Sequence, residues 1–137
     1  TAVGNGAAAS VGAGVILVDT SVWVDHLRHG DEMLAQLLNG SRVLAHPFVT
    51  GELALGKLHQ RVAILSALQG LPQATVASEG EVLQFIDTHA LDGLGIGYVD
   101  VHLLAAVHLT PGSALWTRDR RLHAAAERLG VTDHFHH

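Results

Sequence analysis

The sequence predicts a single α/β domain with a central, mostly parallel sheet flanked by helices. From residue 15 onward, short apolar runs alternate with longer amphipathic stretches, which is typical of strands joined by crossover helices. The chain has 137 residues, the usual size of one domain, and shows no internal repeat and no linker between domains. Hydrophobic residues make up 48% and charged residues 15%, which excludes a disordered chain.

The strand candidates are short apolar runs. Val15–Val18 is continuous and rich in β-branched residues, as expected for a strand that is buried on both faces. Further candidates along the chain are Arg42–His46, Ala74–Ala77, Ala114–Thr117 and Thr132–Phe135. In a parallel sheet, the carboxyl ends of these strands meet at one edge, where ligands of open α/β sheets bind.

The helix candidates lie between the strands, and several carry end signals. Ser78 and Glu81 have the spacing of a capping box ahead of an apolar face, and Pro47 suits a first helical turn. A further helix is therefore expected to start after Ser78. The other predicted helices are Ser21–His29, Asp31–Leu38, Pro47 to about Leu58, Val62–Gln69, Tyr98–Leu109 and Arg120–Leu129.

The termini and the cysteine count bound the class of protein. Nine of the first 14 residues are Gly or Ala and none is basic, so we expect 1–14 to be an expression scar or flexible linker and 15–137 to be the domain. The chain has no cysteine, which excludes a disulfide scaffold, a thiolate zinc site and a cysteine nucleophile. No uninterrupted run of apolar residues is long enough to span a membrane. We expect a cytoplasmic protein without a membrane partner.

The charge balance argues against a broad basic groove for nucleic acid. The chain has 13 acidic and 8 basic residues, for a net charge of −5. Seven of the basic residues are Arg, which suits forked contacts to phosphate. Arg118, Arg120 and Arg121 surround Asp119, and a bound divalent cation would offset local negative charge.

Two acids follow predicted strands. Asp19 ends the first strand and precedes a helix, and Asp119 opens a helix two residues after Thr117. Each has a simpler interpretation as a helix N-cap. Asp25 is expected to have a surface role or to pair with Arg28, and not to contact a metal.

Two further acids lie on predicted helices. Glu52 is a lone acid among apolar residues, and such a group needs a partner or a metal unless it faces solvent. Asp100 falls in the first turn of an apolar helix, where the helix dipole alone would favour it.

Together, Asp19, Glu52, Asp100 and Asp119 indicate a metal site more strongly than any one of them does, because a parallel sheet can bring all of them to one edge. Carboxylate oxygens without His or Cys ligands fit Mg²⁺ or Mn²⁺ better than zinc. A binding module without catalysis and another metal-dependent phosphohydrolase are the alternatives. The Asp-x-Asp pair of one phosphatase family is absent, because Thr20 and Ser21 follow Asp19. Each histidine is expected to be solvated or hydrogen-bonded.

The residues around these acids resemble the acidic motifs of PIN-domain nucleases and, more closely, the VapC-type toxins of bacterial type II toxin–antitoxin pairs. The resemblance spans Val15 to Val131. It is carried, in the family's order, by Val18–Asp25, Thr50–Leu53, Gly95–Ala106 and Leu115–Asp119.

The resemblance implies an endoribonuclease that depends on Mg²⁺ or Mn²⁺, forms a homodimer and is held inactive by a cognate antitoxin. A tRNA or ribosomal RNA loop is the implied substrate. The implied metal-binding and catalytic acids are Asp19, Glu52, Asp100 and Asp119, with Thr20 and Thr117 as supporting hydroxyls. We expect Arg118, Arg120 and Arg121 to contact RNA phosphates or the antitoxin.

Overall fold

The computed structural model describes residues 14–133. The predicted linker, apart from Gly14, and the end of the last strand candidate lie outside these residues. The predicted fold class is confirmed, because a three-stranded parallel sheet in the order β2-β1-β3 forms the centre. The strands are β1 (Val15–Val18), β2 (Val43–Leu44) and β3 (Ser113–Trp116).

The central position of β1 explains its continuous apolar sequence. It pairs on one side with β2, with Ile16 opposite Val43, and on the other side with β3, with Val18 opposite Trp116. Two outer candidates contribute much less than predicted. Ala74–Ala77 forms no strand, since only the preceding Gln73 makes an isolated bridge, and Thr132 likewise makes a single bridge.

Seven helices surround this sheet in the described part of the chain. They are α1 (Thr20–His29), α2 (Glu32–Asn39), α3 (Pro47–Ala54), α4 (Arg61–Gly70), α5 (Glu79–His89), α6 (Tyr98–Leu109) and α7 (Arg120–Leu129). Each was expected, and the capping box of Ser78 and Glu81 is present. The predicted end of α3 near Leu58 is wrong, because the helix ends at Ala54. It closes in a tighter turn, in which the Gly56 amide donates to the Leu53 carbonyl at 3.1 Å.

Helix α6 is the most deeply buried helix. Seven consecutive residues, Val101–Val107, are buried, so the core surrounds this stretch of the helix on all sides, whereas Tyr98 and Leu109 at its ends are exposed. Trp23 and Trp116 also lie in the core. Because α6 is held from all sides, the position of Asp100 in its first turn is fixed by the packing of the whole domain. No helix among residues 14–133 is long and apolar enough to cross a membrane.

Candidate active site

Asp19 lies immediately after β1 and is buried, with 6% of its surface exposed. Its Oδ2 atom accepts hydrogen bonds from the hydroxyls of Ser21, at 2.7 Å, and Thr117, at 2.8 Å. The same oxygen caps α1 through a longer bond from the Ser21 amide, at 3.5 Å. Asp19 is thus an N-cap, as its simpler interpretation held, and also a carboxylate whose orientation is fixed by two hydroxyl groups.

Thr117 connects Asp19 to the second acid that follows a strand. Its buried hydroxyl donates to Asp19 and accepts a 3.0 Å bond from the Asp119 amide. Asp119 is exposed and caps α7, because its Oδ1 accepts from the Leu122 amide at 2.9 Å. One threonine therefore sets the relative position of two acids that lie 100 residues apart in sequence.

Glu52 reaches the same edge of the sheet from α3. Its Oε1 accepts a 2.5 Å hydrogen bond from the hydroxyl of Thr20, the first residue of α1. Glu52 is exposed, as one interpretation of the sequence held, but it also has a polar partner beside Asp19. The predicted supporting hydroxyls, Thr20 and Thr117, thus each bond one of the predicted acids.

Asp100 is half-buried, and its Oδ2 accepts from the Gly97 amide at 3.1 Å. Burial raises the pKa of its carboxyl, and the negative charges of Asp19, Asp119 and Glu52 raise it further. The Gly97 amide opposes this pKa shift without cancelling it. All the predicted acids are therefore close enough for their charges to interact. We call these four residues the acid site.

The carboxylates of the acid site share a bonding pattern. In each, one oxygen is bonded to the protein, and the other accepts no hydrogen bond from residues 14–133. No member forms an ion pair within that range. An all-oxygen set with uncompensated charge suits a hard divalent cation. In the conformation described, no three acidic or histidine side chains of residues 14–133 are close enough to share one ion. Coordination therefore requires the exposed carboxylates to rotate.

The arginines beside Asp119 differ in what they contact. Arg118 forms 2.5 Å ion pairs with Asp25 and Asp31, and its amide donates to the Ser21 hydroxyl. This corrects the expected pairing of Asp25 with Arg28. It also commits the Arg118 guanidinium to the fold, so the expected contact with RNA or antitoxin passes to the other two arginines.

Arg120 and Arg121 remain exposed. The Arg121 guanidinium lies against Gly95, with Nη1 at 3.5 Å from its carbonyl oxygen. Gly95 has φ +77°, and an added Cβ would lie 2.6 Å from the same Nη1. The glycine therefore allows an arginine to lie beside the loop that leads to Asp100.

Two histidines, His46 and His102, are buried near each other. His46 caps α3 by accepting the Phe48 amide at 3.0 Å, and its ring lies 6.5 Å from that of His102. Burial, together with the charge of His102, lowers the pKa of His46 to about 4. His46 is thus neutral at pH 7, and its default interpretation as a hydrogen-bonded residue is confirmed.

Ser21 is the residue of this site that the sequence analysis missed. It bonds Asp19 through its hydroxyl and receives the Arg118 amide. Its position two residues after a strand-ending aspartate was the available signal, since serine at the start of a helix commonly bonds nearby backbone and side-chain groups.

Comparison with known proteins agrees with this geometry. The PIN domain family matches residues 16–128. Two relatives named Ribonuclease VapC32, from the CDC 1551/Oshkosh and H37Rv strains of Mycobacterium tuberculosis, are each 47% identical over 117 residues. The alignment covers 85% of this chain and 94% of each relative. The chain belongs to the PIN-domain family. Within that family it is of the VapC type, as the sequence motifs predicted.

Proposed function

We propose that this chain is an endoribonuclease that requires Mg²⁺ or Mn²⁺ and acts as the toxin of a toxin–antitoxin pair. The acid site is the observation that carries the proposal: its carboxylates lie at one edge of the sheet, and each has an oxygen without a partner among residues 14–133. The naming of two close relatives as ribonucleases supports the choice of RNA as substrate.

Each residue of the proposed site has a definable task. Asp19, Glu52, Asp100 and Asp119 would hold the cation. A bound divalent cation lowers the pKa of water and stabilises the charge that develops during attack on a phosphodiester. The hydroxyls of Ser21 and Thr117 fix the Asp19 carboxylate, and Thr20 donates to one oxygen of Glu52. The buried Asp19 carboxylate is therefore ordered before substrate binds.

The direct test is cleavage of total bacterial RNA by the purified chain in Mg²⁺, in Mn²⁺ and in chelator. We expect discrete new RNA ends with either metal and none in chelator. Sequencing those ends identifies the cleaved RNA and tests the expectation of a tRNA or ribosomal RNA loop. Equal cleavage in chelator would contradict the metal requirement, and intact RNA under every condition would contradict the nuclease.

The antitoxin is proposed to be a small protein encoded next to this chain. Expression of the chain alone should stop bacterial growth, and co-expression of the neighbouring reading frame should restore it. Growth arrest that no neighbouring protein relieves would contradict this part of the proposal.

We also propose that the chain forms a homodimer. Leu55, at the end of α3, is 89% exposed, and Val62, in α4, is 83% exposed. A second copy of the chain would shield such side chains from water. Sedimentation equilibrium of the wild type and of Val62→Lys tests this. A monomeric wild type would contradict it.

A further inference from the structure

A cleft runs away from the acid site between α1, α3 and the chain that leads into α4. It has a volume of about 510 Å³ and begins at Thr20 and Glu52, the hydrogen-bonded pair described above. This volume is in the range of ligand-binding sites. We call it the α1–α3 cleft. Because Glu52 belongs to both places, a chain bound across the acid site can continue directly into the cleft.

Two basic side chains of the α1–α3 cleft have no hydrogen-bond or ion-pair partner among residues 14–133. Arg28 and Lys57 line it, and neither makes a hydrogen bond or ion pair within residues 14–133. Most of the other basic side chains in that range are committed. Arg118 is ion-paired, and the arginines that donate to backbone carbonyls are Arg42, Arg61, Arg121 and Arg128. In the part of the chain described, Arg120 is the only other basic side chain that forms no hydrogen bond or ion pair.

The charge of the cleft is opposite to that of the protein. The chain carries −5 overall, yet Glu52 is the one acid that lines the cleft beside Arg28 and Lys57. Arg28 and Lys57 outnumber Glu52, so the formal charge of the cleft lining is positive. A polyanion is therefore the complementary ligand.

The other walls suit the bases of a single-stranded nucleic acid. Leu27, Leu53 and Ile64 contribute apolar surface, and His29 and His59 contribute imidazole rings. Proteins that read single-stranded RNA stack splayed bases on aromatic rings, histidine included, and on guanidinium planes. An acidic peptide would match the cations but would not need two imidazole rings beside an apolar wall.

We propose that the α1–α3 cleft is the subsite for one nucleotide of single-stranded RNA next to the scissile phosphate. Arg28 and Lys57 bind its phosphates, and the base packs against His29, His59 and the apolar wall. This inference rests on the proposed ribonuclease activity and adds the residues that hold the substrate. Arg121 lies against Gly95, in the loop that leads to Asp100, and would offer the bound strand a further cation outside the cleft.

The phosphate contacts are tested by Arg28→Gln and Lys57→Gln. The matched control is Arg42→Gln, which removes the same charge at the opposite edge of the sheet, just before β2. All are made in an Asp100→Asn background so that the RNA stays intact. The probe is a short fluorescein-labelled single-stranded RNA, and its anisotropy is titrated at several salt concentrations. Melting temperatures confirm that each variant is folded.

We expect both cleft variants to bind RNA more weakly than the control does. The slope of log affinity against log salt should fall by about 0.7 for each phosphate contact removed. In the active protein, the same variants should raise KM more than they lower kcat, because they remove binding that ground state and transition state share.

The base contacts are tested by His29→Ala and His59→Ala with two probes. These variants should weaken binding of the RNA but not of an abasic oligomer of the same length, whereas Arg28→Gln and Lys57→Gln should weaken both. Equal effects of the histidine variants on the two probes would overturn the base-binding part.

The outcomes separate this inference from the proposed function. Cleft variants with unchanged RNA affinity, salt slope and KM would overturn the subsite while leaving the nuclease intact. Variants that keep RNA affinity but lose binding of the neighbouring small protein would assign the cleft to a protein segment and also overturn it. A wild type that neither binds nor cleaves RNA would overturn the proposed function itself.

Discussion

The acids near residues 117–119 form two groups, which differ in whether a cation accompanies them. Asp25 and Asp31 share the guanidinium of Arg118 through two ion pairs. The acid site lies next to them and has no ion pair within the described residues. An arginine adjacent to Asp119 in sequence thus pairs with Asp25 and Asp31 and leaves the acid site without a cation.

Asp31 and Asp100, one acid from each group, have pKa shifts of opposite direction. Burial tends to raise the pKa of Asp31, but the Leu34 amide and the Arg118 guanidinium outweigh it, so the pKa is lowered. The pKa of Asp100 is raised by burial and by neighbouring carboxylates. The fold itself therefore supplies a cation to the first group, whereas we expect the second group to be compensated by a cation from solution.

The largest contrast should appear in activity. Asp19→Asn is expected to lower RNA cleavage about a hundredfold or more, because a catalytic metal contributes several kcal/mol to the barrier and each 1.4 kcal/mol is a factor of about ten. Asp25→Asn, in the compensated group, should stay within a fewfold of the wild type. The measurement is cleavage rate in Mn²⁺, and similar losses in both variants would abolish the distinction between the groups.

The second contrast concerns stability. Arg118→Met leaves Asp25 and Asp31 without their cation, and the side chain of Asp31 is only 18% exposed. We expect a loss of about 1–2 kcal/mol, between the small value of exposed pairs and the larger one of fully buried pairs. Thermal or urea unfolding measures this loss. Arg120→Met, which removes an exposed arginine of α7, is the control and should unfold as the wild type does.

The elements with local signals were predictable from sequence. The capping box of α5 and the glycine that follows α7 act within a few residues, and both helices begin where expected. The failure of Ala74–Ala77 to form a strand depends on tertiary contacts. A single bridge between Ala45 and Gln73 is all that the sheet offers there.

The acid site was predictable for a similar reason, and the Arg118 pairing was not. A carboxylate directly after a buried strand must lie at the functional edge of a parallel sheet, which is why Asp19 could be found. Arg118 meets Asp25 and Asp31 across 93 and 87 residues. No periodicity marks such a pair, and sequence proximity alone pointed to Arg28 instead.

A third contrast is the response to metal. If the acid site binds Mn²⁺ only when folded, Mn²⁺ at ten times its dissociation constant should stabilise the wild type by about 1.4 kcal/mol. Asp100→Asn should gain less, whereas Asp31→Asn should gain as much as the wild type. Melting curves in chelator and in Mn²⁺ measure these shifts, and an equal gain for Asp100→Asn would remove Asp100 from the proposed metal site.

The smallest effect, and the closest test of the comparison, is the stability of the metal-free protein. A carboxyl whose pKa is raised in the folded state destabilises the fold at neutral pH, and this cost diminishes as pH falls toward the raised pKa. Asp100→Asn should therefore melt at or above the wild type in chelator at neutral pH, with an advantage that shrinks on acidification.

For Asp31 the effect on stability has the opposite sign. Its lowered pKa stabilises the fold above the unfolded-state pKa, and that stability is lost as pH falls through the folded-state pKa. Asp31→Asn should thus melt below the wild type at neutral pH and converge with it in acid. Melting temperatures of the wild type, Asp100→Asn and Asp31→Asn between neutral and acidic pH test both predictions. An Asp100→Asn variant that is less stable than the wild type at neutral pH would show that the Asp100 carboxylate supports the fold.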